Sequence, residues 1–328
     1  MYQINIFDIM YEKYKITKPI RLIELFAGVG SQAMALRDLK ANFEHYKVIE
    51  FDKKAIESYN AIHGTDFPHI DITTVNAETL NIVDTYKYDY ILTYSFPCQD
   101  LSLAGERKGM SKDSGTRSGL LWEVERILDE INESEIYQLP QVLLMENVPE
   151  VKGKGNESDF EQWINKLESL GYTNFVEVLN AKDYGVPQNR NRCFMVSILG
   201  EYSYSFPKKK KLKIKLKNIL EKEVEQKFYL SKEQINRIST STYVSNRKRI
   251  QRKHYADTLC ARDWKDPKCV DTEKGIRKLT PKEYWRIMGF TDKDFEKAQK
   301  HNSNTNLYKQ AGNSIVKNVL MEIFKELL

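Results

Sequence analysis

Arg21-Leu22-Ile23-Glu24-Leu25-Phe26-Ala27-Gly28-Val29-Gly30-Ser31 is an apolar run that closes in a tight glycine-bearing turn. Gln32-Ala33-Met34-Ala35-Leu36 then starts a helix. Strand, glycine turn, helix is the opening of a Rossmann-type unit. A second strand, Tyr46-Lys47-Val48-Ile49, ends at Glu50. That acid lies about twenty residues beyond the glycines, where this fold places a partner for ribose hydroxyls. A helix is predicted from Lys53 to His63, and Asp71-Ile72-Thr73 closes a short third unit.

The pattern continues. Tyr88-Asp89-Tyr90-Ile91-Leu92-Thr93-Tyr94 reads as a buried strand that Pro97 stops, leaving Cys98 just past its carboxyl end. In an open α/β sheet that is where ligands bind. A lone cysteine is more often core filler. The polar, glycine-bearing run from Gln99 to Arg117 instead predicts an exposed loop. Leu120, Val124, Ile127, Leu128 and Ile131 recur at helical spacing. Val142-Leu143-Leu144-Met145 is a buried strand ending at Glu146-Asn147-Val148-Pro149. A helix through Phe160, Trp163 and Leu167 follows, then strands at Phe175–Leu179 and Arg192–Ile198. Strands alternating with helices for this long predict an α/β fold with a mostly parallel, doubly wound sheet.

The chain has 328 residues, enough for a large domain and a smaller one. It is 41% hydrophobic and 30% charged, has no apolar run of membrane-spanning length, and shows no secretory leader pattern, so a soluble globular protein is expected. Cys98, Cys193, Cys260 and Cys269 form no C-x-x-C pair; no zinc or other metal site is expected, and the sparse usage suggests a reducing cytoplasm. A short helix is expected within residues 1–18. Lys+Arg total 51 against Asp+Glu 46, so the net charge of +5 matters only where it clusters. It clusters past residue 200. Lysines crowd 208–217, where Leu212, Ile214 and Leu216 alternate with them as in a strand with one basic face. Arg247, Lys248, Arg249, Arg252 and Lys253 form a second cluster near Tyr243, Tyr255 and Trp264. One lysine run is ordinarily a solvated surface; two clusters with interleaved aromatics make a phosphate-facing surface an even alternative. Further on, Thr280-Pro281-Lys282-Glu283 starts a helix with a capping box, and Gly312-Asn313-Ser314 precedes an apolar helical run.

Each motif is weak alone. In this order they resemble one family closely, the C5-cytosine DNA methyltransferases. Phe26-Ala27-Gly28-Val29-Gly30 resembles that family's S-adenosylmethionine loop, Pro97-Cys98-Gln99 its nucleophile motif and Glu146-Asn147-Val148 its acid motif. Gln188-Asn189-Arg190-Asn191-Arg192 matches its Q-x-R-x-R element. Arg277 to Phe290 and Gly312-Asn313-Ser314 resemble its last two motifs. The likeness runs from about residue 21 to the end, except residues 200–276. Two departures, Ser31 in place of a turn glycine and Pro149 after Glu-Asn-Val, leave the assignment intact.

The resemblance implies a doubly wound, Rossmann-like methyltransferase domain (residues 1–199, completed by the helix at 306–328) and a smaller target-recognition domain with its hinge at 200–305. It implies methyl transfer to C5 of a cytosine flipped out of duplex DNA, through a covalent Cys98 adduct at C6. Glu146 would hydrogen-bond or protonate N3, Arg192 would hold O2, and Arg190 would support the site. In the cofactor site the turn from Phe26 through Gly28 to Gly30 would take the methionine moiety, with Phe26 against the adenine. Glu50, followed by Phe51, would take the ribose hydroxyls, and Asp71 the adenine amine with Ile72 packed nearby. Pro97, Leu120, Asn313 and Ser314 would complete it. The loop 99–117 would close over the flipped base. Gln99, Lys213, Lys215, Arg247, Arg249, Arg252 and Arg262 are the candidates for DNA contact.

A transfer-RNA branch of the family carries Cys-Phe-Thr; here Cys260 is followed by Ala261 and Arg262. A non-catalytic relative is expected to have lost the nucleophile or the acid, and both are present. A nicotinamide dehydrogenase shares only the turn and the acid. A monomer acting on double-stranded DNA is expected, and the resemblance leaves open a companion restriction endonuclease.

Overall fold

The computed structural model describes residues 11–97, 117–241, 249–251 and 253–328. The predicted strand–turn–helix opening is β1 (Ile20–Leu25) and α1 (Ser31–Asp38). Between them Phe26, Gly28 and Gly30 all have left-handed backbone, with φ of 58°, 57° and 79°. β2 (Phe43–Ile49) leads into α2 (Lys53–His63). Asp52 caps this helix by accepting from the Lys54 and Ala55 amides, and left-handed Gly64 ends it. A 3₁₀ turn at Ile72–Thr74, capped by Asp71, and the short α3 (Ala77–Leu80) precede β3 (Asp89–Tyr94). Then come α4 (Leu121–Asn132), β4 (Val142–Asn147), α5 (Glu157–Ser169), β5 (Tyr172–Asn180), β6 (Gln188–Asn189) and β7 (Asn191–Leu199).

The main sheet has the order β2-β1-β3-β4-β7-β5. β2, β1, β3 and β4 run parallel, and every residue of β3 and β4 is buried, as in a sheet covered by helices on both faces. β7 is antiparallel to both neighbours, so it alone is reversed. The reversal brings the start of β7, rather than its end, to the edge where β1–β4 end: Asn147 pairs with Cys193.

The smaller region holds α6 (Lys232–Ser239) and a three-stranded sheet of β8 (Ile250–Gln251), β10 (Cys269–Thr272) and β11 (Gly275–Lys278). Its own core is small: Ile238, Ile250 and Cys269, with Leu230 and Ile276 against them. β9 (Ala256–Asp257) stands apart from that sheet and pairs in parallel with β6. The remaining helices are α7 (Pro281–Ile287), α8 (Asp292–Gln299), α9 (Asn304–Asn313) and α10 (Lys317–Leu327). They bury Trp285, Phe295, Leu307 and Phe324 in the same cluster as Leu22, Ala33 and Phe194 of the α/β layer. α7 begins with the predicted capping box between Thr280 and Glu283. Glu283 also takes both guanidinium arms of buried Arg277, at 2.6 and 2.8 Å.

Two expectations are corrected. Residues 208–215 form no strand, and 216–218 are a 3₁₀ turn. Only Leu216 is buried there, while Ile214 is 45% exposed, so the alternation has no second face to pack. Residues 11–18 are not helical either; Lys13 makes a single bridge to Ser203. The rest of the expected N-terminal helix, residues 1–10, lies outside the described residues.

Candidate active site

The strand ends of β2, β1, β3 and β4 deliver four polar or turn segments side by side, because those strands are neighbours in the sheet. After β1 comes the left-handed turn. After β2 comes Glu50, whose Oε2 accepts the Gly28 amide at 2.8 Å and whose Oε1 accepts the Asp52 amide at 2.7 Å. The second strand's acid therefore ties down the first strand's turn. Burial pushes the Glu50 carboxyl above its ordinary range, and those two amides pull it back. Phe51 beside it is 71% exposed. A side chain at Gly28 would meet nothing within 4 Å, so the turn faces open space. Asp71 is half-buried and accepts the Thr73 amide at 3.0 Å, with Ile72 buried behind it. Pro97 and Leu120 are half-buried. An open turn, a carboxylate tied to its backbone and an exposed ring fit an adenosine-bearing cofactor.

After β3, Ser95 and Phe96 lead to Pro97. Cys98 and Gln99, and the loop up to residue 116, lie outside the described residues. The approach to them is fixed from β4. Asn147 donates to the Phe96 carbonyl at 3.1 Å. Glu146 is 7% exposed; its Oε2 accepts the Ser95 hydroxyl at 3.2 Å, and its Oε1 lies 3.1 Å from Arg192 Nε. Arg192 reaches the acid because β7 is reversed. Its Nη1 donates to the Asn191 carbonyl at 2.7 Å. Ser95 and Asn147 are partners to which the motifs gave no role, although Asn147 stands within the acid motif. Cys193, next to Arg192, is buried in the core and its thiol is pushed up to about 12 by that burial, which rules it out as a nucleophile.

Arg190 does not face this acid. It is 3% exposed and donates to three carbonyls, of Leu259 at 2.7 Å, Gly312 at 3.1 Å and Ser314 at 2.9 Å. The element Gln188–Arg192 thus joins the two regions. Gln188 accepts the Leu259 amide at 3.1 Å and donates to the Ile287 carbonyl at 3.3 Å, while the Asn189 carbonyl accepts the Thr258 hydroxyl at 2.8 Å. Ser314 is buried against Gln310, and Asn313 is exposed at the end of α9.

Lys213 and Lys215 are exposed, and Lys215 borders a cavity of about 270 Å³ with Lys217, Lys253 and His254. Arg262 is exposed. Trp264 near it has the Lys265 and Lys309 ammonium groups 5.3 and 5.6 Å from its ring. Arg249 is tied down instead: its side chain is 16% exposed, Nη1 lies 3.0 Å from Asp266, and Nη2 donates to the Pro267 carbonyl. It is not a free fork for a base edge. Arg247, Arg252 and Tyr243 lie outside the described residues. Among the described residues no His, Cys, Asp and Glu cluster could hold a metal, and no helix is long and apolar enough to cross a membrane.

An acid paired with an arginine beside a proline-terminated strand, on a sheet that opens with a left-handed glycine turn, defines a class rather than one protein. The sequence model for C-5 cytosine-specific DNA methylases matches residues 20–328, and the chain belongs to that family. It is an enzyme, a DNA (cytosine-5-)-methyltransferase. Type II methyltransferase M2.ScrFI of Lactococcus lactis subsp. cremoris is 35% identical over 94% of this chain and 99% of its own length. The orphan methyltransferase M.SssI of Spiroplasma monobiae is 33% identical, covering 95% of this chain and 98% of that protein. The crystal structure of S. pombe Dnmt2 methyltransferase superposes with a TM-score of 0.73 over 94% of this chain and 98% of its own, at 19% identity. Entamoeba histolytica methyltransferase EhMeth gives 0.75 over 95% and 98%, at 16% identity. These two solved structures bear out the fold.

Proposed function

We propose that the chain extrudes one cytosine from a specific duplex sequence and methylates its C5 through a transient covalent bond from Cys98 to C6. The observation that carries this reading is the Glu146–Arg192 pair, 3.1 Å apart, beside the segment that runs from Ser95 into Cys98. Cytosine C5 is a poor nucleophile. Thiolate addition at C6 places an electron pair on the C5–C4–N3 system, and Glu146 meets the resulting charge at N3 with a hydrogen bond or a proton. Arg192 holds O2 and, through its ion pair, orients the acid. C5 then takes the methyl group; loss of the C5 proton and expulsion of the Cys98 thiolate restore the ring. Arg190 acts behind the reacting groups, as a positioning residue.

S-adenosylmethionine, when bound, supplies the electrophilic methyl group. The turn Phe26–Gly30 would take its methionine part, Glu50 its ribose hydroxyls, and Asp71 with Ile72 its adenine. Phe51, Pro97, Leu120, Asn313 and Ser314 would border it. Residues 200–276 would read the target: Lys213 and Lys215 as phosphate contacts, Arg247, Arg252 and Arg262 at base edges. The chain would act as a monomer inside the cell. Relatives named as type II and as orphan enzymes leave a partner endonuclease acting on the same site as one arrangement of two.

Two experiments test this. Conversion sequencing of plasmid DNA from an expressing host is expected to show 5-methylcytosine in one sequence context; methylation at another base, or none, refutes it. Duplex carrying 5-fluorocytosine is expected to trap a covalent complex with the wild type and not with Cys98→Ser, because fluorine replaces the proton that must leave. An adduct formed by the variant would assign the nucleophile elsewhere.

A further inference from the structure

Behind the glycine turn lies a polar chain that the reaction above does not use. Glu24 on β1 is completely buried. Its Oε2 accepts the Tyr59 hydroxyl at 2.5 Å, and its Oε1 lies 3.4 Å from the Ala33 amide in the first turn of α1. The Tyr59 oxygen is in turn 2.7 Å from Nδ1 of His45, a half-buried residue of β2. The same tyrosine packs against the turn itself. A Cβ on Gly30 would stand 2.6 Å from the Tyr59 ring and 2.4 Å from His63 Nε2. That imidazole nitrogen is 3.2 Å from the Val29 carbonyl. Val29, Gly30 and Ala33 are therefore held from behind by groups that share hydrogen bonds or ring contacts with Glu24 and Tyr59.

We propose that Glu24, Tyr59 and His45 form a proton-sharing chain that sets the shape of the glycine turn, and that its protonation state tunes how tightly the turn takes the cofactor. The inference rests on the placing of S-adenosylmethionine at that turn. With Glu24 ionised, Tyr59 donates to it and its oxygen accepts from His45 Nδ1–H. When Glu24 gains a proton the chain reverses. The carboxyl donates to the Tyr59 oxygen, Tyr59 donates to His45 Nδ1, and the imidazole proton sits on Nε2. One proton is added, and no member loses its partner.

The surroundings put this change near neutral pH. Burial pushes the Glu24 carboxyl up to about 7, against the pull of Tyr59 and Ala33. The other titratable and charged groups around the chain come from three elements. His63 on α2 is pushed down to about 3, first by burial and then by His45. Arg37 on α1 lowers His45, behind the larger effect of burial, and is itself paired with Asp294 of α8 at 2.8 Å. Both imidazoles thus favour neutrality, and Glu24 is the member that changes charge. S-adenosylmethionine is cationic at its sulfonium and amine, so it favours ionised Glu24, and binding should expel a proton and tighten as pH rises.

Calorimetric titration of the full chain with S-adenosylmethionine from about pH 6 to about pH 8.5, in two buffers of different ionisation heat, reads both quantities. Wild-type affinity is expected to fall about three-fold more towards the acid end than that of Glu24→Gln, within the tenfold per pH unit that one proton allows. The ligand's own amine titrates in both proteins and cancels in the difference. Tyr59→Phe and His45→Gln are expected to shift the midpoint while retaining binding. Identical pH profiles for wild type and Glu24→Gln overturn the inference. If Glu24→Gln does not fold, an unchanged midpoint in His45→Gln overturns it equally. Glu50→Ala separates the two levels. If it leaves cofactor affinity intact at every pH, the cofactor placement fails; if it weakens binding while Glu24→Gln keeps the wild-type profile, only the proton chain fails.

Discussion

Replacing Arg190 by methionine is the sharpest test of how the two regions are joined. The side chain is 3% exposed and its guanidinium donates to the carbonyls of Leu259, Gly312 and Ser314. Methionine keeps the unbranched stem and removes every donor. A hydrogen bond from a charged donor contributes roughly 1.5–3 kcal/mol, and a buried carbonyl stripped of its donor costs roughly 1–3 kcal/mol. Three such bonds would give roughly 5–9 kcal/mol if they added. Water entering the gap, and the relief of burying one charge fewer, bring the expected loss to about 4 kcal/mol. That is a large part of the roughly 5–15 kcal/mol that keeps a domain folded. Urea unfolding followed by the fluorescence of buried Trp163 and Trp285 would measure it. A companion melting experiment should show a drop of roughly 6–10 °C. Arg190→Lys, which keeps one charged donor, should recover part of the loss. Methyl transfer should fall in Arg190→Met, because Gly312 and Ser314 flank Asn313. A loss below about 1 kcal/mol would mean that the three carbonyls exchange freely to water, and that Arg190 does not hold the regions together.

Gly312→Ala should destabilise the fold by about 1–3 kcal/mol, since its Cβ would lie 2.3 Å from the backbone of Cys260 and Ala261, which cannot turn aside; an unchanged melting temperature would show that the contact opens easily. Glu146→Gln should slow methyl transfer at least about a hundredfold while leaving DNA affinity within a few-fold, because its task arises as charge develops on the ring; affinity falling in step with rate would make it a binding group. His63 and Glu24 should oppose each other in acid. Folded His63 stays neutral down to about 3, so below its unfolded value the unfolded state takes up the proton and stability falls; Glu24, raised to about 7, binds its proton in the folded state first, so stability rises as pH drops. Between about pH 6.5 and pH 5 each contributes about 2 kcal/mol, so denaturation of His63→Gln should show added stability in acid and Glu24→Gln a loss; parallel curves would refute both. Lys215→Ala should weaken all DNA sequences alike and flatten the salt dependence, whereas Arg262→Ala should relax preference at one position by roughly 1–3 kcal/mol; the reverse pattern would exchange their roles.

Most of the architecture was legible because its signals are local. The glycine turn, the Thr280 cap and the helical spacing of Val124, Ile127 and Leu128 each act within a few residues. The lysine segment misled for a physical reason. Alternation predicts a strand only if one face finds something to cover it, and here Leu216 alone does. The reversal of β7 left a trace that could have been read: residues 181–190 are too few to carry a helical crossover back to a parallel strand. The turn of Arg190 away from Arg192 left none. Its acceptors are 69 to 124 residues distant, and only the folded chain brings them near. The same holds for Glu24, Tyr59 and His45, whose partnership spans β1, α2 and β2 with no repeat or spacing to announce it.

The packing of α10 has a consequence for the chain's synthesis. Val319, Leu320, Ile323, Phe324 and Leu327 are buried in one cluster with Leu22, Ala33, Met34 and Leu36, and the Leu327 carbonyl accepts the Ile16 amide at 2.8 Å. β1 and α1 are thus covered by a helix that lies some three hundred residues further along the chain. On the ribosome the apolar face of β1 and α1 stays open while some three hundred residues are added, a separation whose entropic cost grows only logarithmically. A chain ending before residue 319 would leave that face of β1 and α1 without its cover.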